Sequence, residues 1–163
     1  MLAAVEGLPG VIDAYEISRE RTFDSGAYAS VTVQMADTAS SAEILDVVTA
    51  WGETHSDDSK TRIDIQVDIG DDCHLTVDDD ADDPRLSDTA DFFVALCDAA
   101  PGAAVYLELG WTVRSVFVNT MTDADEERLD ALAQQWRELP GAQVEHDHWR
   151  IVDAGRTQKL YQW

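Results

Sequence analysis

The sequence predicts an α+β protein built from two tandem ferredoxin-like (split βαβ) units, with two antiparallel sheets that each carry helices on one face. Three observations predict this class. Apolar and polar residues alternate near the middle of the chain, as in strands that bury one face. Apolar residues recur elsewhere at helical spacing. The order of these signals in the first half is repeated in the second half, as in a duplicated chain.

The clearest strand signal is a hairpin at residues 61–77. Apolar side chains alternate with polar ones on both sides of a polar turn at residues 70–72. The apolar positions are Ile63, Ile65, Val67, Ile69, Cys73, Leu75 and Val77. We therefore expect two antiparallel strands here, each with one buried face.

The helices are predicted from apolar stripes and from the residues that begin a helix. Ser40 and Glu43 have the spacing of a capping box, and Thr122 and Asp125 have the spacing of an N-cap and a first turn. The stripes are Ile44, Val47, Val48 and Trp51; Phe93, Leu96, Cys97 and Ala100; and Leu129, Leu132, Ala133 and Trp136. They place Trp51 and Trp136 in the core.

Further elements complete the predicted order. Residues 1–8 have the pattern of the end of a helix, followed by Pro9 and Gly10. Additional strands are predicted at residues 11–17, 28–35, 103–111 and 112–121, with a strand pair or one bent strand at 142–154.

The repeat defines the predicted domains. A shift of 85 residues carries the stripe that ends at Trp51 onto the stripe that ends at Trp136. We predict a first unit at residues 1–70 that lacks its own leading strand, a second unit at 71–154 and a C-terminal tail at 155–163. The strand near residues 149–153 would complete the first sheet by strand exchange. Chance similarity between alanine-rich helices is the alternative explanation of the repeat.

The two cysteines, Cys73 and Cys97, are candidates for a disulfide. The predicted fold places Cys73 at the start of a strand and Cys97 in the last turn of the helix that follows it, so the two residues meet at one end of the unit. A bond requires Cα atoms within roughly 7 Å and would favour an exported protein. Two buried thiols are the alternative.

The charge of the chain limits its partners. There are 33 aspartate and glutamate residues against 11 lysine and arginine residues, a formal charge of −22. This charge disfavours direct binding to nucleic acid or to anionic lipid, and it is compatible with a basic protein, a metal cation or a high-salt solvent. The sequence has no apolar run long enough to span a membrane and no visible signal peptide. A cytoplasmic location and export with the targeting segment absent from this chain are both compatible with it.

One acidic loop is a candidate cation site. Asp78, Asp80 and Asp82 have the spacing of the first three ligands of an EF-hand loop, which suggests weak Ca²⁺ binding. The sixth and twelfth positions are Asp83 and Thr89, where the motif has glycine and glutamate. These departures favour a solvated loop. A transition-metal site formed by His146 and His148, two residues apart on a predicted strand, with Cys73 and His74 is a further hypothesis. Ordinary surface or edge histidines are the alternative.

Residues 5–17 include the segment Leu8-Pro9-Gly10-Val11. This segment resembles the passage from the first helix to the second strand of heavy-metal-associated domains. The resemblance implies a ferredoxin-like fold. It implies no copper or zinc transport, because those domains bind metal through a CxxC motif and this sequence contains none.

The sequence has no GxSxG, GxGxxG or GxxxxGK motif. We therefore predict a protein that is not an enzyme and needs no cofactor, namely a strongly acidic binding or interaction module. One alternative is an acidic inhibitor or immunity-type protein that binds a basic partner. Another is a small-molecule sensor that uses the groove between the two units. Monomer and homodimer are both open at this point.

Overall fold

The computed structural model describes residues 2–19, 28–54, 62–78, 85–110, 113–142 and 147–162. In this part of the chain, each helix is followed by a pair of antiparallel strands, and this order occurs four times. The helices are α1 (Leu2–Val5), α2 (Ser41–Gly52), α3 (Leu86–Ala99) and α4 (Glu126–Trp136). The strands are β1 (Val11–Arg19), β2 (Tyr28–Met35), β3 (Arg62–Ile69), β4 (Cys73–Val77), β5 (Ala104–Leu109), β6 (Arg114–Asn119), β7 (His148–Val152) and β8 (Gln158–Gln162).

All the described strands belong to one mixed sheet, and their order in the sheet is their order in the chain. The helices α2, α3 and α4 connect neighbouring parallel strands: β2 to β3, β4 to β5 and β6 to β7. Helix α2 packs against α3, and the buried side chains of α2, α3 and α4 belong to one core cluster with the inward side chains of the strands. The three helices therefore lie on the same face of the sheet, which we call the helix layer.

The core lies between the helix layer and the sheet. Alternate strand residues point toward the helices and form one cluster with the apolar helix stripes. Trp51 and Trp136 are buried in this cluster, as their positions on the stripes predict. The opposite face of the sheet, which we call the open face, carries no helix among the described residues.

The helix starts confirm one predicted cap and correct another. The Ser40 hydroxyl accepts the amide N–H of Glu43, and the Glu43 carboxylate accepts the amide of Ser40, which is the predicted capping box. For α4, the N-cap is Asp125, whose carboxylate accepts the amide of Arg128 at 2.9 Å. Thr122 precedes this cap, and its carbonyl accepts the amide of Ala154.

The α+β class is confirmed, but the prediction of two antiparallel sheets is wrong. A split βαβ unit leaves a gap for another strand between the two strands that its helix connects. Here those strands are direct neighbours, so every connection extends one sheet. The hairpin of β3 and β4 pairs Ile69 with Cys73 and carries the sheet across the predicted boundary at residue 70.

The predicted exchange of the C-terminal strand is also wrong. β7 pairs with β6 and β8, whereas β1 is an edge strand at the other end of the sheet. The segment predicted as a tail contains β8, which pairs with β7. Among the described residues, no helix combines the length and the apolar character that crossing a membrane requires.

Candidate functional site

The candidate site is a cleft on the open face of β4 to β8. Strand residues alternate, so every second side chain on these strands points away from the helix layer. The outward side chains that line the cleft are His74, Thr76, Tyr106, Glu108, Ser115, Phe117, His148, Arg150, Leu160 and Gln162. The cleft has a volume of about 710 Å³, which is within the range of roughly 300–1,000 Å³ common for ligand sites.

A row of flat side chains crosses four strands in this cleft. His74, Tyr106, Phe117 and Arg150 are paired in register on β4, β5, β6 and β7. The rings of His74 and Tyr106 are stacked with centroids 4.8 Å apart, and the Tyr106 and Phe117 centroids are 5.7 Å apart. The Arg150 guanidinium lies 5.2 Å from the Phe117 centroid. The ring spacing is close to the spacing of strands, as expected for rings at paired positions of neighbouring strands.

The first ring of this row is held by a buried carboxylate. Asp68 is 7% exposed, and its Oδ1 lies 2.8 Å from Nδ1 of His74. The same oxygen accepts a hydrogen bond from Nε2 of Gln66. At the other end of the row, Arg150 donates to Oε1 of Gln158. The row is therefore fixed at both ends before any partner binds, which lowers the entropic cost of binding.

A polar row lies beside the aromatic row. Thr76, Glu108, Ser115 and His148 are in register on β4 to β7. Glu108 is exposed, and its carboxylate has no hydrogen bond or ion pair with any residue in the described ranges. His148 lies 3.3 Å from the side-chain nitrogen of Gln162. Glu108 is therefore a charged group available to an incoming molecule.

The charges of the helix layer and of the cleft differ. The helix layer is rich in acids and has one basic residue, Arg128. The acidic positions on these helices are Glu43, Asp46, Asp88, Asp91, Asp98, Glu126, Glu127 and Asp130. Among the residues that line the cleft, Glu108 and Arg150 are the acidic and basic side chains, beside two histidines. The cleft is thus a weakly charged, aromatic surface on a strongly acidic protein.

The predicted cation loop is only partly described. Asp78 follows β4, and its amide donates to the carbonyl of Leu109 at 3.1 Å. Asp80 and Asp82 lie outside the described residues, as does His146. The favoured solvated loop and the alternative of weak Ca²⁺ binding therefore both stay predictions. In the described ranges, no three histidine, cysteine, aspartate or glutamate side chains are grouped as ligands of a metal.

The predicted cysteine pair lies on the opposite side of the sheet from the cleft. The structure places Cys73, at the start of β4, next to Cys97 in α3, with their Cα atoms 6.1 Å apart. This distance is within the range for a disulfide, which stays a prediction. A bond here would connect α3 to the strand that carries His74, and neither cysteine lines the cleft.

The open face is not predicted as a site by any pattern in the sequence. The available signal was the presence of Tyr106 and Phe117 at outward positions of two strands, each next to aliphatic inward residues. Large aromatic side chains at exposed positions often mark binding surfaces.

Comparisons with protein-family models, with curated proteins and with solved structures find no match for this chain.

Proposed function

We propose that this protein is a non-enzymatic binding module and that the open face of β4 to β8 is its binding surface. The observation that carries this proposal is the preorganised row of His74, Tyr106, Phe117 and Arg150 in a cleft, in which Tyr106 and Arg150 are exposed. Aromatic and arginine side chains are enriched among the residues that dominate binding energy. A rigid sheet supports the row, so little ordering is needed when a partner binds.

The two exposed tyrosines of the open face provide a matched test. Tyr106 is 46% exposed in the cleft, and Tyr15 on β1 is 45% exposed outside it. We expect Tyr106→Ala to lose a defined set of partners in quantitative affinity capture from the source cells, and Tyr15→Ala to retain that set. Equal capture by the two variants and the unmodified protein would contradict the proposal. Thermal unfolding of both variants establishes that they are folded.

A small-molecule sensor is the second candidate. The continuous sheet replaces the predicted groove between two units, so the site of such a ligand is the cleft itself. Its volume favours this candidate. A ligand present at 100 times its Kd stabilises a protein by about 2.7 kcal/mol. A compound screened by thermal shift should therefore raise the Tm of the unmodified protein and fail to raise that of Tyr106→Ala.

A further inference from the structure

We infer that the partner is a basic protein that places an arginine side chain in the cleft, with its guanidinium on Glu108 and its aliphatic stem along the ring edges of Tyr106. This inference rests on the proposed function, because it assigns a partner to the same face. It assigns Glu108 as the residue that distinguishes this partner from others. Glu108 belongs to no motif in the sequence, and the alternating pattern of its strand does not distinguish it from other polar residues.

The charge of the whole protein favours a basic partner. At a formal charge of −22, the protein attracts cations over distances of about a Debye length and repels acidic macromolecules. The acidic helix layer contributes to this field, and the cleft on the opposite face provides a concave aromatic surface. Long-range attraction thus brings a basic protein to the surface, whereas the cleft decides where it docks.

The geometry around Glu108 fits a guanidinium. Glu108 and Tyr106 lie two residues apart on β5, so their side chains share a face about 7 Å apart along the strand. An arginine side chain spans this distance, and its planar head can donate two hydrogen bonds to one carboxylate. The Ser115 hydroxyl is on the neighbouring strand directly opposite Glu108. Lysine offers a single ammonium and cannot form the paired hydrogen bonds.

The size of the surface favours a protein over a small cation. The aromatic row crosses four strands, a distance of about 14 Å, and extends well past the reach of one guanidinium group. Arg150 at the far end is a cation, so a partner must present a neutral or acidic group there. A protein surface can meet both requirements at once.

A pair of charge-matched variants tests the inference. Glu108→Gln and Glu127→Gln each remove one exposed acid, but Glu127 lies on α4 in the helix layer. Calorimetry with a blocked hexa-arginine peptide at near-physiological salt should show about tenfold weaker binding for Glu108→Gln. Glu127→Gln should weaken binding less than about twofold, because exposed and unspecific charge contacts contribute little. A hexa-lysine peptide should bind more weakly and respond equally to both variants.

The outcomes separate this inference from the proposed function. Equal weakening of hexa-arginine binding by the two variants overturns the inference, as does free L-arginine binding as tightly as the peptide. If Tyr106→Ala loses partners in cell extract while Glu108→Gln retains them, the open face binds without an arginine contact, and only the inference fails. If both variants retain all partners, the proposed function fails as well. Tm values of both glutamine variants equal to that of the unmodified protein exclude misfolding as the cause.

Discussion

The guanidinium of Arg114 forms hydrogen bonds with both carboxylate oxygens of Asp147, and water reaches neither side chain. Arg114 also donates to the carbonyls of Gly141 and Ala142, and its guanidinium lies 4.8 Å from the centroid of the Phe92 ring. A buried charge is costly unless it is paired and hydrogen-bonded. This pair therefore joins β6, α3 and the segment before β7 at the back of the strands that carry the cleft.

Replacing Arg114 with methionine should destabilise the protein by about 3 to 5 kcal/mol, because Asp147 would remain as an unpaired buried charge. The double variant Arg114→Met/Asp147→Asn should lose less stability than the sum of the losses in the two single variants. Each single variant already removes the interaction between the two side chains, so the sum includes that interaction twice. Urea unfolding of the three variants measures this difference. Strict additivity would show that the two side chains do not stabilise each other.

Gly141 should not tolerate alanine. It has a φ of +70°, and an added Cβ would lie 1.9 Å from the backbone oxygen of Asp88 in α3. Gly102 has a similar φ of +73° but nothing within 4 Å of the added carbon. We expect Gly102→Ala to cost about 1 kcal/mol, from backbone strain alone, and Gly141→Ala to cost about 3 kcal/mol, because overpacking is added. Equal unfolding midpoints for the two variants would contradict the predicted contact with α3.

The Cys73–Cys97 pair predicts a redox-dependent stability. Mass spectrometry under non-reducing conditions should give a mass lower by two hydrogen atoms than after reduction. A bond that closes a sequence separation of 24 residues is expected to stabilise the protein by about 3 kcal/mol. Reduction should therefore lower the Tm of the unmodified protein and leave the Tm of Cys73→Ser/Cys97→Ser unchanged. An unchanged mass on reduction would establish two thiols.

The contact between β8 and α4 predicts a loss of stability in alkali. Partial burial and the hydrogen bond from the Tyr161 hydroxyl to Asp130 raise the pKa of Tyr161 above its ordinary value near 10. The folded state therefore holds this proton more tightly than the unfolded state. The resulting stability is complete below a pH of about 10 and is lost as the pH rises further. The hydrogen bond to Asp130 also raises the pKa of Lys159, which adds a loss in the same direction.

Tyr161→Phe tests this relationship, because it removes the titrating hydroxyl and keeps the ring. The variant should lose less stability than the unmodified protein between about pH 8 and about pH 11. Lys159 keeps its raised pKa in this variant, so stability should still fall with pH, but with a smaller slope. Chemical unfolding at the two pH values measures the slopes. Identical slopes would show that the hydroxyl is not protected by Asp130.

Local features of the fold could be predicted, because they depend on neighbouring residues. The capping box at Ser40 and the alternating hairpin at residues 61–77 are examples. The neighbours of each strand could not be predicted, because helix–strand–strand order is compatible with both a sequential sheet and a split βαβ unit. The strand β8 was not predicted because its inward side chains, Lys159 and Tyr161, produce no apolar alternation. Both side chains contact acids on α4 instead.

The candidate site could not be predicted either, because it depends on which strands are neighbours in the sheet. Tyr106, Phe117 and Arg150 belong to three strands, and they form a row only because β5, β6 and β7 are neighbours in register. Sequence spacing does not contain that pairing, and each residue alone has the features of an ordinary exposed side chain. The buried partner of Arg114 is similarly 33 residues away in the chain.

Two adjacent residues of β6 should lose different amounts of stability on truncation, and the contrast tests whether the open face is accessible to a partner. Val118 is 0% exposed in the core, so Val118→Ala should cost about 2 kcal/mol. Phe117 points to the open face and contacts Tyr106 and Arg150, so Phe117→Ala should cost only about 1 kcal/mol despite the larger change in volume. Urea unfolding measures both values. A larger cost for Phe117→Ala would mean that other parts of the chain cover this face and that it is not free to bind. With the smaller cost, Phe117→Ala is a folded variant whose loss of partners reports on the cleft itself.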